Sequence, residues 1–120
     1  MGTVLVVDDE PDVRLIARMV LQADGYEVDE VATGEAALAA LGAQRPDVLL
    51  LDVRLPGIGG WEVLQRVRSD PTLAGLPVVV FTADLGASSE APEHLEEGEV
   101  LLTKPFRADD LLAAVRAATA

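Results

Sequence analysis

The stretch Asp47-Val48-Leu49-Leu50-Leu51-Asp52 decides the fold. Four apolar residues in a row, without alternation, predict a strand buried on both faces, as in a parallel sheet covered by helices. Working outward, Val4-Leu5-Val6-Val7 repeats the pattern and runs into Asp8-Asp9-Glu10. Pro77 to Thr82 is a third such run, and Val100-Leu101-Leu102 a shorter fourth. Glu27 to Val31 is more polar and is expected at an edge.

The intervening segments carry helical spacing. Val13, Ile16, Ala17, Val20 and Leu21 share a face; Pro11 suits the first turn and Asp24-Gly25 the stop. Thr33 is placed to cap a second helix through Ala36, Ala37, Ala40 and Leu41, broken from Gly42 to Pro46. After a turn-rich loop from Leu55 to Gly60, Trp61, Leu64, Val67 and Arg68 mark a third helix, ended by Asp70-Pro71 and Gly75. Glu93 to Glu97 has helical character, but Pro92 must start or break it. A last helix is expected over Asp109 to Ala118 with Leu111, Leu112 and Val115 inward. Five βα units in succession predict an α/β fold: one parallel sheet, helices on both faces and right-handed crossovers, in a single domain over residues 1–120.

The chain has 120 residues, half of them hydrophobic, 3% aromatic and 25% charged. That suits one soluble core filled by Val, Leu and Ala. No cysteine is present, which excludes disulfides, thiolate metal sites and a Cys nucleophile. The single histidine, His94, excludes a multi-His metal site. A net charge of −12 argues against direct nucleic-acid binding, which needs clustered Lys and Arg, and is compatible with a divalent cation or a basic partner. Neither a signal peptide nor a membrane-spanning run is read, so the expected location is the cytoplasm.

Sites in open α/β sheets form outside the carboxyl ends of the strands. Asp8 and Asp9, Asp52, Thr82 and Lys104 are expected at four such ends, and so on one rim. Clustered carboxylates repel one another and would raise their own pKa values without a counter-ion, and Mg²⁺ suits their hard oxygens. Asp52, with an ordinary carboxylate pKa of about 3.9, is then a nucleophile toward phosphorus. Lys104 would neutralise phosphoryl charge and Thr82 would donate a hydrogen bond. Taken singly, each residue has a plainer explanation: a helix-start acid, a turn aspartate, a strand-end threonine, a solvated lysine. Their joint placement outweighs four coincidences.

These residues resemble the receiver domains of two-component response regulators. The resemblance rests on Val-Val-Asp8-Asp9-Glu10-Pro11, Leu-Leu-Leu-Asp52 with Leu55-Pro56-Gly57, Phe81-Thr82-Ala83 and Lys104-Pro105-Phe106, and spans the chain. It implies a flavodoxin-like sheet of order 2-1-3-4-5. Asp52 is then the phosphoacceptor, served by the phosphohistidine of a sensor histidine kinase or phosphotransfer protein. Mg²⁺ would be held by Asp8 or Asp9, Asp52 and the Arg54 carbonyl. A cis peptide between Lys104 and Pro105 is implied too, with output through the face of helix four, strand five and helix five. The chain would act as a stand-alone switch toward a separate protein or a phosphorelay, as a monomer or weak homodimer away from membranes. It would be no enzyme beyond its own phosphorylation and dephosphorylation.

Two departures bear on output. Leu101 stands where the family has an aromatic residue coupled to the threonine, and Ser88-Ser89-Glu90-Ala91-Pro92 interrupts the expected start of helix four. Arg54 and Asp84, on neighbouring loops, would form a pair that shields Asp52 from water. Three other functions compete with this one. An aspartate-nucleophile phosphatase needs an acid two residues after Asp52, where Arg54 stands. A flavin or nucleotide carrier needs a phosphate loop after strand one. A degenerate receiver, binding partners without phosphorylation, needs an incomplete acidic set.

Overall fold

The computed structural model describes residues 2–82, 95, 96 and 98–119. Its strands are β1 (Thr3–Val7), β2 (Glu27–Val31), β3 (Val48–Asp52), β4 (Val78–Thr82) and β5 (Glu99–Thr103). Among the described residues the helices are α1 (Pro11–Ala23), α2 (Gly34–Ala43), α3 (Gly60–Ser69) and α4 (Ala108–Thr119). The last is helix five of the sequence-based count. Most of the expected helix-four segment, with Pro92 and His94, lies outside the described residues; Leu95 and Glu96 belong to no helix or strand.

All strand pairs are parallel, in the order β2-β1-β3-β4-β5. This is the flavodoxin-like arrangement. Every residue of central β3 is buried, whereas β2 leaves Glu27 and Asp29 exposed at one edge. Strand alternation splits the core in two. Leu5, Val7, Leu49, Leu51, Val78 and Val80 face α2 and α3. Val4, Val6, Val48, Leu50, Val79 and Phe81 face α1 and α4. Each fully buried Leu or Phe contributes about 1.5–3 kcal/mol relative to exposure, and Leu50→Ala would cost about 2–5 kcal/mol by leaving a cavity.

The helix ends follow local chemistry. Thr33 Oγ1 accepts the Ala36 N–H at 3.0 Å, capping α2 as expected. Gly25 adopts φ 96° just past α1, a conformation that glycine tolerates without a Cβ clash. In α4 the buried stripe is Leu111, Ala114, Val115 and Ala118, with Leu112 only half-buried. The i, i+3, i+4, i+7 face governs, and Leu112 falls on its flank. No helix of the described residues is long and apolar enough to cross a membrane.

This order sets the site. The connection from β1 leads to one side of the sheet and that from β3 to the other. The two loops diverge at the carboxyl ends of neighbouring strands, where the Asp8 and Asp52 carboxylates stand.

Candidate functional site

Asp8 follows β1 directly and is fully buried; Asp52 closes β3 and is 2% exposed. Asp8 is fixed by its own backbone. Its N–H donates to the Val31 carbonyl at 3.2 Å, and its Oδ1 accepts the Glu10 N–H at 2.9 Å. Asp52 Oδ1 accepts the Arg54 N–H at 3.0 Å, so the loop after β3 folds back onto its own carboxylate. Asp9 and Glu10 are exposed. Among the described residues, Asp8, Asp9, Glu10 and Asp52 form the acidic group that could hold a cation, with one oxygen from each lying within 4.8 Å of the others.

Lys104 enters this group from the end of β5. Its Nζ lies 2.6 Å from Asp8 Oδ2, 3.3 Å from Asp52 Oδ2 and 3.5 Å from Glu10 Oε1. Its side chain is only 11% exposed, which rules out a freely solvated lysine. The Lys104–Pro105 peptide is cis, as the resemblance implied. Thr82 closes β4 beside Thr103 of β5. The rim thus gathers Asp8, Asp9, Asp52 and Lys104, with the end of β4 next to them. Asp84 lies outside the described residues, and with it the expected Arg54–Asp84 pair.

The Asp52 pKa is raised, as expected of clustered carboxylates without a counter-ion, but burial rather than repulsion is the main cause. Burial pushes the Asp52 carboxyl above the ordinary carboxylate range. The Arg54 N–H pulls it down, the Asp8 charge pushes it up, and Lys104 pulls it down by charge and hydrogen bonding. Burial wins because water is almost fully excluded from Asp52. Burial also works against the Lys104 ammonium, but Asp8 and Asp52 outweigh it, and its pKa lies above the ordinary lysine value.

Three further contacts go beyond the sequence reading. Arg14 of α1 donates from Nη1 to the Asp8 carbonyl at 2.7 Å and from Nε to Glu30 Oε1 at 3.3 Å. Arg18 holds the other Glu30 oxygen at 2.6 Å. A β2 carboxylate therefore braces the arginine that braces Asp8. Gly60, read as loop, is the first residue of α3. A Cβ there would strike the Asp52 carbonyl oxygen and lie within 2.7 Å of Val53 Cα. Its glycine lets α3 start against the Asp52 backbone. Phe81 lies under Lys104, with Nζ 5.3 Å from its ring centroid. A glycine at a helix start was a usable signal for Gly60; the other two contacts depend on pairing across the fold.

The donor set fits a hard divalent cation. All its ligating atoms are oxygens, and the only group that compensates buried Asp8 Oδ2 among the described residues is the Lys104 ammonium at 2.6 Å, which Asp52 shares. Four carboxylates within 4.8 Å against one ammonium leave negative charge that a divalent cation would offset.

The model of the response regulator receiver domain matches residues 4–116. The phosphate regulon transcriptional regulatory protein PhoB of Rhizobium meliloti is 37% identical over 115 residues, covering 95% of this chain and 50% of that protein. The chain spans about half the length of the first curated relatives it matches. Among solved structures, the chemotaxis response regulator CheY4 of Vibrio cholerae superimposes with a TM-score of 0.88 at 30% identity, covering 98% of each chain. The response regulator TrrA of Thermotoga maritima, solved with Mg²⁺ and BeF, gives 0.85 at 32% identity, covering 98% of this chain and 99% of that one. The chain belongs to the response regulator receiver domain family of two-component signalling.

Proposed function

We propose that residues 1–120 form one receiver unit, in which Asp52 accepts a phosphoryl group from a protein phosphohistidine. The observation that carries this is the Lys104 ammonium, held between the buried carboxylates of Asp8 and Asp52. An ammonium so placed is an electrophilic clamp for phosphoryl oxygens beside a nucleophile. An Asp52 carboxylate oxygen forms the new bond to phosphorus as the phosphorus–nitrogen bond breaks. The electron pair of that bond stays on the imidazole nitrogen of the donor. Lys104 follows the transferring oxygens, and Thr82, at the end of β4, donates its hydroxyl to the bound phosphoryl group. Asp8, Asp9, Asp52 and the Arg54 carbonyl would hold Mg²⁺, whose charge offsets that of the phosphoryl oxygens. Arg14 and Gly60 keep Asp8 and Asp52 at fixed heights on the rim.

The donor protein would dock on α1. Leu15, Ile16 and Met19 are exposed there, at 43%, 50% and 61%. Val13 and Ile16 also line a groove with Pro105 and Phe106, whose rim includes Glu10 and Lys104. A phosphohistidine-bearing helix on this face would lie next to Asp52. Output to a separate protein or relay would use β5, α4 and the helix-four segment. Arg54 stands where an external phosphoester hydrolase would need an acid, so turnover of such a substrate is not part of the proposal.

The test is incubation with Mg²⁺ and acetyl phosphate, followed by intact mass. One phosphoryl adduct is expected on the native protein and none on Asp52→Ala. Labelling that persists in Asp52→Ala would refute the site. Ile16→Glu with Met19→Glu should slow transfer from a phosphorylated kinase while leaving labelling by acetyl phosphate unchanged.

A further inference from the structure

Lys104 has four carbons of free rotation, and about 2 kcal/mol of rotamer entropy opposes holding its ammonium at one point. Its contact to Asp52 does not last through a reaction there, and Asp8, its other partner at 2.6 Å, would be shared with Mg²⁺. Once the Asp52 carboxylate becomes an acyl phosphate, its charge and its place as an acceptor change. A contact that neither the metal nor the phosphoryl group alters would help keep the ammonium at the rim.

Phe81 is in that position. It is the last residue but one of β4, paired in register with Asp52 of β3. Its carbonyl accepts the Val53 N–H at 3.2 Å, which ties its backbone to the loop after Asp52. The side chain is fully buried on the face shared with α1 and α4. Lys104 Nζ lies over the ring, 5.3 Å from its centroid, inside the range in which the negative face of an aromatic ring attracts a cation. The ring is itself held: Phe106 packs against it at 5.9 Å between centroids and 49° between planes. Leu101 belongs to the opposite face of the sheet, packed toward α2 and α3, so Phe81 does not stand in for the missing aromatic residue. It holds the lysine rather than following the threonine.

We infer that Phe81 is a positioning residue for phosphoryl transfer, whose ring face holds the Lys104 ammonium at the acidic rim while its carboxylate contacts change. This rests on Asp52 being the phosphoacceptor. A leucine at 81 would keep the strand apolar and lose both the cation contact and the Phe106 ring contact.

The decisive variant is 3,4,5-trifluorophenylalanine at position 81, which keeps the ring's shape and weakens its negative face. Acetyl phosphate labelling of this variant should slow about 5-fold, with an unchanged melting temperature. Labelling at the native rate in the folded variant would overturn the inference. A second readout does not depend on labelling. The Lys104 ε-methylene protons should resonate upfield in the native protein, from the ring current of Phe81, and return toward ordinary lysine positions in Phe81→Leu. Their absence from the upfield region in the native protein would overturn the inference even if labelling proceeds. If the native protein takes no label, the Asp52 proposal fails, and the proton shifts still decide whether the ring holds the lysine.

Discussion

The two ends of the sheet treat charge in opposite ways. At the amino ends of β1, β3 and β5, charged side chains are matched. Arg68 of α3 pairs with Glu99 at the start of β5, its Nε also lying 3.5 Å from Glu96. Asp47 accepts the Thr3 N–H at 2.8 Å. Arg45 donates to the carbonyls of Thr72 and Ala74 at 3.0 and 3.3 Å. At the carboxyl ends, Asp8 and Asp52 are buried together, one ammonium serves both, and burial raises the Asp52 pKa. One end closes the fold. The other holds buried negative charge that one ammonium only partly offsets. Local destabilisation at such a rim is what a reactive site requires.

Substitutions should separate the two ends. The largest effect is expected at the amino end. Arg68→Met leaves the Glu99 side chain, 7% exposed, without its partner. Stability should fall by about 3 kcal/mol in urea unfolding, while acetyl phosphate labelling of the folded protein stays unchanged. At the carboxyl end the pattern reverses. Lys104→Met should slow labelling about 100-fold and leave the urea midpoint much closer to native than Arg68→Met does. Arg14→Ala comes next. Freeing the Asp8 carbonyl from its brace should weaken Mg²⁺ binding about 10-fold in calorimetric titration, with the α1 fold retained by circular dichroism. Equal binding would mean that the Arg14–Glu30–Arg18 network serves packing alone.

The smallest effect has an informative sign. Because the Asp52 pKa is raised in the folded state, the folded chain keeps a proton at pH values where the unfolded chain has released it. Stability from this group therefore falls as pH rises through the raised value. Asp52→Asn removes the buried charge, so it should melt above the native protein at neutral pH in the presence of a chelator. That gain should vanish as pH falls below the ordinary carboxylate range. A native protein that melts higher at neutral pH would show that Lys104 more than offsets the burial of Asp52.

Much of the site was legible because the fold is. The run Val48 to Asp52 marks a doubly buried strand, and a parallel sheet of such strands brings their terminal polar residues together. Asp8, Asp52 and Lys104 could be named from position along the chain alone. The bracing contacts could not. Arg14 reaches Asp8 through α1, Glu30 reaches Arg14 from β2, and Phe81 meets Lys104 from a neighbouring strand. Each depends on register and helix rotation, which one-dimensional periodicity does not carry. The leading cause of the raised Asp52 pKa was not legible for a related reason: the sequence points to repulsion among carboxylates, whereas burial comes first and the start of α3 at Gly60 packs against the Asp52 backbone. The same reasoning misjudged Leu112, on the flank of a stripe continued by Ala114 and Ala118.

The central claim is that the carboxyl-end rim is where phosphorus is accepted, and specifically at Asp52. Borohydride reduces an aspartyl phosphate to homoserine, leaving a permanent mark in the chain. The native protein should be labelled with acetyl phosphate and Mg²⁺, reduced, digested and sequenced by tandem mass spectrometry. Homoserine at position 52 and at no other aspartate is the predicted result. Homoserine at Asp8 or Asp9, or none in a protein whose intact mass shows the adduct, would contradict it.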